Sequence, residues 1–307
     1  AALKSDGSVV TWGDDDRGGD SGSVSSYLDT GVVEIFSNEH AFAALKLDGS
    51  VVTWGDSNKG GDSGSVANEL ASEVSEIYSS YDAFAALKTD GSVITWGFNG
   101  GDSSSVSTEL TSGVVGVYSN AFAFAALKSD GSLVTWGIAG ACGDSSSVST
   151  EISSGVVDIF SSGDRYDAEA GDGSAFAALK SDGSVVTWGS QSGGGDSSSV
   201  SQDLSSDVDQ IFSTSLGAFA ALKSDGSVIT WGGQGGDSSS VSAELSSGVT
   251  HIFSTGLSFA ALKSDGSVVT WGTSIYGGDS SGVSADLSSE VTWIYSSTGA
   301  FAAIIET

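Results

Sequence analysis

The tripeptide Thr-Trp-Gly occurs seven times in this chain of 307 residues, and this repetition limits the possible folds more than any other feature. Successive tryptophans of the series are 40 to 52 residues apart, and the longest interval contains an insertion around Gly163 to Ser174. The series consists of Trp12, Trp54, Trp96, Trp136, Trp188, Trp231 and Trp271. Because a single short repeat cannot bury its own apolar surface, the repetition predicts a row of equivalent units that stack on one another.

Each unit contains short strand-like segments. In the unit that starts at Val32, VVEIFS and AFAALK are apolar runs joined by a few variable residues, and AFAALK continues through Asp-Gly into SVVTWG. Both connections are typical of β-hairpins. The following Gly-Asp-Ser segment is a weaker strand candidate, and its Val/Leu pair at i, i+4 also indicates one helical turn. Three clear strands and a weak fourth, repeated seven times, predict an all-β, seven-bladed propeller with about four antiparallel strands per blade.

The pattern also predicts the core and the closure of the ring. We expect Phe36, Phe42 and Trp54, with their equivalents in the other units, to fill the spaces between blades. We expect one domain over residues 1–307, closed by the joining of the N- and C-terminal strands, since closure removes exposed sheet edges. The chain begins in the middle of a repeat, so excision from a longer array stays open as an alternative.

The order of these segments resembles a known repeat. V-x-x-I, A-F-A-A-L, D-G-S-V-V-T-W-G and then a Gly-rich loop are similar to the repeat of the regulator-of-chromosome-condensation family, in a divergent form of bacterial type. The resemblance implies a seven-bladed β-propeller. The family's Gly-Gln-Leu-Gly is replaced here by Gly-Gly-Asp-Ser, as at Asp20, and its frequent histidine before the Ala-Leu strand is Phe42. The resemblance therefore assigns no exchange-factor, chromatin-binding or inhibitor role to any residue of this chain.

The composition limits the classes of molecule that this chain can bind. With 39 acidic and 10 basic side chains, the formal net charge is −29, which argues against nucleic acid and against anionic membrane surfaces. No apolar run is long enough to insert into a membrane as a helix. The single cysteine, Cys142, excludes an internal disulfide framework and a Cys-based structural zinc site. An acid excess of this size is typical of proteins in salty surroundings, so we expect an extracellular or cell-surface location, with a protein or a surface glycan as the partner.

Comparison of the seven units with one another predicts the binding surface. The turn K-x-D-G-S hardly varies, whereas the loop after Trp-Gly and the loop between the first two strands differ in every unit. In a meandering blade these two variable loops emerge on the same face, and variable loops on a rigid scaffold are the usual carriers of binding. Neutral drift of tolerant loops is the alternative. The aromatic and basic residues that we expect on the binding face are Arg17, Lys59, Tyr81, Phe98, Phe122, Arg165, Tyr166 and Tyr276.

Few residues indicate catalysis. The two histidines, His40 and His251, occupy different positions in their units and lack a matched nucleophile, so we interpret both as inert. The repeated aspartates of Gly-Asp-Ser and of K-x-D-G-S are interpreted as turn formers. The insertion is different because it occurs once, and its acidic side chains are either a solvated loop or a possible Ca²⁺ site. These candidate ligands are Asp164, Asp167, Glu169 and Asp172.

These observations favour a non-catalytic interaction or adhesion scaffold that needs no cofactor. Two alternatives stay open. One is a propeller enzyme, a lyase or a hydrolase, that uses a metal at the acidic insertion 163–174. The other is a purely structural repeat unit of a larger surface assembly. An enzyme needs one convergent pocket, a binding protein needs a contiguous aromatic and charged patch, and an array unit needs complementary ends.

Overall fold

The fold is all-β in the part of the chain that the computed structural model describes, residues 1–138, 142–163 and 173–306. The chain divides into two compact units, Ala1–Asp144 and Ser145–Thr307, each of which is built from consecutive antiparallel sheets. The prediction of one domain over residues 1–307 is not tested by this division. No helix in the described ranges has the length and apolar character that membrane crossing requires.

The N-terminal unit contains one two-stranded sheet (β1-β2) and three three-stranded sheets (β3-β4-β5, β6-β7-β8 and β9-β10-β11). Its strands are β1 Ala2–Leu3, β2 Val9–Val10, β3 Val32–Ser37, β4 Ala41–Lys46, β5 Val51–Gly55, β6 Val74–Ser79, β7 Ala83–Lys88, β8 Val93–Gly97, β9 Val114–Ser119, β10 Ala123–Lys128 and β11 Leu133–Gly137. Its helices are single turns: α1 Ser25–Leu28 and the 3₁₀ turns Asp15–Arg17, Gly22–Val24, Ser57–Lys59, Gly64–Val66, Ser104–Val106 and Glu109–Thr111.

The C-terminal unit repeats this plan with the sheets β12-β13-β14, β15-β16-β17, β18-β19-β20 and β21-β22. Its strands are β12 Val156–Ser162, β13 Ala175–Lys180, β14 Val185–Gly189, β15 Val208–Ser213, β16 Ala218–Lys223, β17 Val228–Gly232, β18 Val249–Ser254, β19 Ser258–Lys263, β20 Val268–Gly272, β21 Val291–Ser296 and β22 Phe301–Ile305. Its 3₁₀ turns are Ser146–Val148, Gln191–Gly193, Ser198–Val200, Ser239–Val241, Glu244–Ser246, Ser274–Tyr276 and Ser281–Val283.

The expectation of about four strands per repeat is wrong for the described residues, where each complete repeat forms three. The segment that the sequence offered as a weak fourth strand begins with a turn instead, because the Asp62 carboxylate accepts a hydrogen bond from the Gly64 amide at 2.8 Å. A 3₁₀ turn, Gly64–Val66, follows directly. Local side-chain hydrogen bonds of this kind compete with sheet pairing, so the interpretation of the Gly-Asp-Ser aspartates as turn formers is confirmed here.

The core explains why the second strand reads A-F-A-A-L. In the N-terminal unit, Ala41 and Ala43 of β4 pack against Phe84 and Trp96 of the next sheet in one buried cluster. The Phe84 and Trp96 rings stack with their centroids 5.3 Å apart. Small alanines on one sheet therefore make room for the large rings of the next, which gives dense packing between consecutive sheets. Equivalent clusters recur between β7 and the β9-β10-β11 sheet, and within the C-terminal unit. The prediction that the aromatic residues fill the spaces between sheets is confirmed within each unit.

Tryptophan hydrogen bonds connect several of the sheets to the loop of the sheet before them, although the buried indole N–H of Trp271 has no such partner among the described residues. The Trp96 indole N–H donates to the carbonyl of Gly60 at 3.0 Å. Gly60 has φ +102°, and a Cβ at this position would lie 2.6 Å from Cδ2 of Phe84, so the packing requires glycine. The same kind of bond joins Trp54 to Gly18, Trp136 to Gly100 and Trp231 to Gly194.

The sequence predicted seven equivalent buried tryptophans, and this prediction is wrong for Trp12. Six of them are at most 3% exposed, whereas Trp12 is 66% exposed. Trp12 follows β2, a strand of only two residues. Trp12 has no stacked phenylalanine of the kind that covers Trp54 among the residues that the structure describes. Its repeat therefore lacks the contacts that bury the other rings.

The invariant turn K-x-D-G-S is structural. Asp48 accepts hydrogen bonds from the hydroxyl and the amide of Ser50 at 2.6 and 3.0 Å, and these two bonds hold the pKa of Asp48 below its usual value. The Lys46 ammonium donates to the carbonyl of Tyr27 at 2.9 Å, at the end of α1. Equivalent bonds tie the other repeated lysines from Lys88 to Lys263 to backbone carbonyls. The constant turns thus use their charged groups to hold the fold together.

Candidate functional site

The variable loops of the N-terminal unit lie side by side and form one connected surface, which we call the loop face. It comprises two kinds of segment, those that follow the last strand of a sheet and those that join the first two strands of a sheet. The segments are residues 14–19, 38–40, 56–60, 80–82, 98–100, 120–122 and 138.

Hydrogen bonds and ion pairs connect one half of this row of segments. The Arg17 guanidinium donates to the Glu39 carboxylate at 2.9 Å. The Asn38 side-chain amide donates to the carbonyl of Lys59 at 2.8 Å, and the Lys59 ammonium lies 3.2 Å from Oδ1 of Asp82. The segments from residue 14 to residue 82 are therefore held together by their own polar groups.

Backbone hydrogen bonds continue the row on its apolar side. The Phe98 amide donates to the carbonyl of Asp82 at 2.9 Å, and the Tyr81 amide donates to the carbonyl of Ala121 at the same distance. The amide of Ile138 donates to the carbonyl of Phe122 at 3.1 Å. Tyr81 packs on Ala121 and Phe122, while Phe98 is 56% and Ile138 37% exposed. Two exposed apolar side chains, Phe98 and Ile138, therefore lie next to the charged segments, whereas Phe122, which the sequence predicted on the exposed face, is buried.

A compact cluster of titratable groups lies at the centre of the loop face. The Lys59 Nζ is 3.1 Å from Nε2 of His40, which in turn is 3.5 Å from Oδ1 of Asp82. Counted as whole residues, His40 and Asp82 are only 8% and 6% exposed. The Asn99 amide donates to Oδ2 of Asp82 at 3.2 Å. Within the described residues, Oδ1 of Asp82 accepts no hydrogen bond of good geometry, so its contact with the Lys59 ammonium is ionic in character.

The ring of Tyr81 covers this cluster. The Lys59 ammonium lies 6.0 Å from the centroid of the Tyr81 ring, within the range of a cation–π contact. The His40 imidazole meets the same ring edge to face, with a centroid distance of 5.4 Å. Burial is the main cause that lowers the pKa of His40, and the positive charge of Lys59 adds to it, while Asp82 acts in the opposite direction. The imidazole is therefore held in its neutral form near neutral pH.

The structure brings together some of the residues predicted from the sequence. Lys59, Tyr81 and Phe122 lie in one chain of contacts, and Phe98 is adjacent through its backbone. Arg17 lies at the far end of the same row. Tyr276 belongs to the C-terminal unit, at the end of the 3₁₀ turn Ser274–Tyr276. Arg165 and Tyr166 lie outside the described residues, as do the candidate calcium ligands Asp164, Asp167, Glu169 and Asp172.

The sequence missed the centre of the site. His40 was interpreted as an isolated, inert histidine, and Asp82 and Asn99 were not singled out. The available signal was position within the repeat, since His40 and Asp82 are 42 residues apart and each directly precedes the alanine that opens a second strand. Equivalent positions in consecutive sheets are neighbours, so a titratable residue at both was a sign of contact.

Other candidates for chemistry contribute less. His251 is exposed and packs on Phe253 and Trp293 in the C-terminal unit. Cys142 is buried, with the Asn120 side-chain nitrogen 2.7 Å from its sulfur. In the part of the chain that the structure covers, no three His, Cys, Asp or Glu side chains converge in a way that could hold a metal ion.

Comparisons with known proteins give weak similarity only. No family model and no curated protein matches the chain. Among solved structures, yeast (Saccharomyces cerevisiae) Prp20p is 14% identical, with 78% of this chain and 72% of that chain covered and a TM-score of 0.42. Human WBSCR16 is 17% identical over 90% of this chain and 72% of its own, with a TM-score of 0.40.

The ectodomain of the Physcomitrella patens receptor kinase CR4 is also similar, at 13% identity and a TM-score of 0.39. The comparison covers 79% of this chain but only 61% of that ectodomain. Chain similarity at this level does not identify a partner or an activity.

Proposed function

We propose that this protein is a non-catalytic interaction scaffold that binds a protein or a surface glycan through the loop face of its N-terminal unit. The observation that carries the proposal is that the exposed Phe98 and Ile138 lie on segments joined by backbone hydrogen bonds to segments 80–82 and 120–122, next to the charged groups around Lys59. Exposed aromatic side chains beside partly desolvated charged groups are the usual anchors of protein interfaces.

The other surface of the repeat supports this choice by contrast. Its repeated lysines donate to backbone carbonyls, and its repeated aspartates accept from neighbouring serines, as Asp48 does from Ser50. Groups that already serve the fold offer few free contacts to a partner. The loop face is the surface where side chains differ between repeats, and Phe98 and Ile138 are exposed on it.

The finer predictions from the sequence belong to this proposal. They are a closed propeller of seven blades related to the regulator-of-chromosome-condensation repeat, and a location outside the cell or on its surface. The three-stranded sheets and the recurring Ala–Phe–Trp packing support the first, and the net charge of −29 supports the second. The metal-dependent enzyme stays an alternative prediction, because its ligands Asp164, Asp167, Glu169 and Asp172 lie outside the described residues.

The experiment uses peptides selected on the intact chain from a random 12-residue library displayed on phage. Changing Phe98 and Ile138 together to serine should weaken binding of the selected peptides at least tenfold, which corresponds to about 1.4 kcal/mol. The matched control is Leu47→Ser, because Leu47 is 83% exposed in a constant turn and is just as apolar. Equal losses in both variants, or a loss in the control alone, would contradict the proposal.

A further inference from the structure

We infer that His40 is a pH-sensitive latch of the loop face, which holds the Lys59 ammonium against Asp82 and Tyr81 while the imidazole is neutral and releases it on protonation. This regulation goes beyond the proposed binding function, and it can be tested without any partner. It follows from the geometry of three side chains that come from three different loops.

The contact between Lys59 and His40 fixes the protonation state of the imidazole. A lysine ammonium carries three hydrogen-bond donors and no acceptor. At 3.1 Å from Nζ, Nε2 of His40 must therefore be the acceptor, and the ring proton lies on Nδ1. The same ammonium also lies 3.2 Å from Asp82, so neutral His40 and the Asp82 carboxylate together form the binding site of the Lys59 ammonium.

Protonation of His40 disrupts this binding site of the Lys59 ammonium. The imidazolium would have no lone pair on Nε2 and would place a second positive charge 3.1 Å from the first. Of the three side chains, Lys59 has the largest exposure, 30% compared with 10% for His40 and 8% for Asp82, so Lys59 is the group that can leave towards water. Asp82 then remains as the counter-ion of the buried imidazolium.

The other charged and titratable groups around His40 determine the pH range in which the imidazole is protonated. Glu39, the neighbouring residue, raises the pKa of His40, whereas Arg17 lowers it, and these two are paired with each other at 2.9 Å. Tyr81 presents its ring edge to face. Burial and Lys59 lower the pKa of His40 by more than the carboxylates raise it. The imidazole therefore takes up its proton at a pH below the range usual for imidazole side chains.

Release of Lys59 would change the binding surface in two ways. The ammonium would leave the Tyr81 ring, which it now approaches to 6.0 Å. The 56–60 segment would also loosen, because its remaining side-chain tie to segment 38–40 is the bond from Asn38 to the Lys59 carbonyl. At mildly acidic pH the loop face therefore presents a solvated cation and a less covered aromatic ring.

The first test is an NMR titration of the two imidazole side chains of the intact chain, with His251→Gln to assign the two signals. Lys59→Met should raise the titration midpoint of His40 by about 0.5 pH unit or more, and Asp82→Asn should lower it. A midpoint that moves by less than about 0.2 unit in Lys59→Met would overturn the latch, because the two groups would then not sense each other.

The second test is hydrogen exchange of residues 56–60, corrected for the intrinsic dependence on pH. Exchange should accelerate as the pH falls through the His40 midpoint in the wild type and in the control His251→Gln. It should show no such step in His40→Gln, whose amide oxygen accepts from Lys59 but does not titrate. If His40→Gln does not fold, Lys59→Met takes its place and should also lack the step. A step that persists in the folded variant, or no step in the wild type, overturns the proposal.

Discussion

Replacement of Trp96 by alanine tests the packing on which the whole repeat depends. Trp96 is 3% exposed, stacks on Phe84 at 5.3 Å and donates its indole N–H to Gly60 at 3.0 Å. The substitution removes all three contributions and leaves the Gly60 carbonyl without its donor. It also opens a cavity between two consecutive sheets, because Trp96 belongs to the cluster that joins them.

The expected loss in the free energy of unfolding is about 3–5 kcal/mol, the range for truncation of large aromatic core residues. The hydrogen bond contributes about 1 kcal/mol of this and the ring stack about 0.5–1.5 kcal/mol, while lost burial and the cavity account for the rest. Trp12→Ala provides a matched control from the same series. Since Trp12 is 66% exposed, its replacement should cost less than about 1 kcal/mol.

Urea denaturation followed by circular dichroism measures both variants against the wild type. The two losses should differ by at least about 2 kcal/mol, because the core substitution costs about 3 kcal/mol or more and the exposed one less than about 1 kcal/mol. A cost under about 1 kcal/mol for Trp96→Ala, or equal costs for both variants, would mean that this tryptophan does not hold consecutive sheets together.

Three further predictions concern strain, pH and calcium. Gly60→Ala should destabilise the chain by about 1–3 kcal/mol in the same urea assay, because the new Cβ would meet Phe84. The control Gly282→Ala has open space around the new Cβ and should change the free energy of unfolding by no more than about 0.5 kcal/mol. Because folding lowers the pKa of His40, the unfolded chain binds more protons than the folded chain in mildly acidic solution. The contribution of His40 to the free energy of unfolding should therefore be complete above about pH 6.5 and decrease below it. His40→Gln should flatten this part of the plot of urea midpoint against pH. If the insertion binds Ca²⁺, millimolar calcium should raise the melting temperature, and deletion of Gly163 to Ser174 should abolish the increase.

Much of the architecture could be predicted from the repeat. The apolar run AFAALK and the turn in K-x-D-G-S are local signals, and the strands β4 and β7 with their Asp–Ser turns follow them closely. The weak fourth strand was predicted wrongly because a Val/Leu spacing suits a strand and a helical turn equally well. The Asp62–Gly64 hydrogen bond decides for the turn, and such a bond cannot be read from apolar periodicity.

The candidate site was harder to predict because it depends on contacts between repeats. Arg17, Lys59 and Tyr81 could be selected one by one as unusual loop residues. Their relation to His40 and Asp82 could not, since the contact joins loops from two sheets and from positions about 20 and 40 residues apart in the chain. Only alignment of the units by their second strand places His40 and Asp82 at equivalent, adjacent positions.

The most direct measurement for the binding claim is a hydrogen-exchange map of the intact chain with and without a peptide selected from the phage-displayed library. Protection should increase in segments 80–82, 98–100 and 120–122 and stay unchanged in the constant turns such as Lys46 to Ser50. Protection confined to the constant turns, with no change at the loop face, would contradict the account.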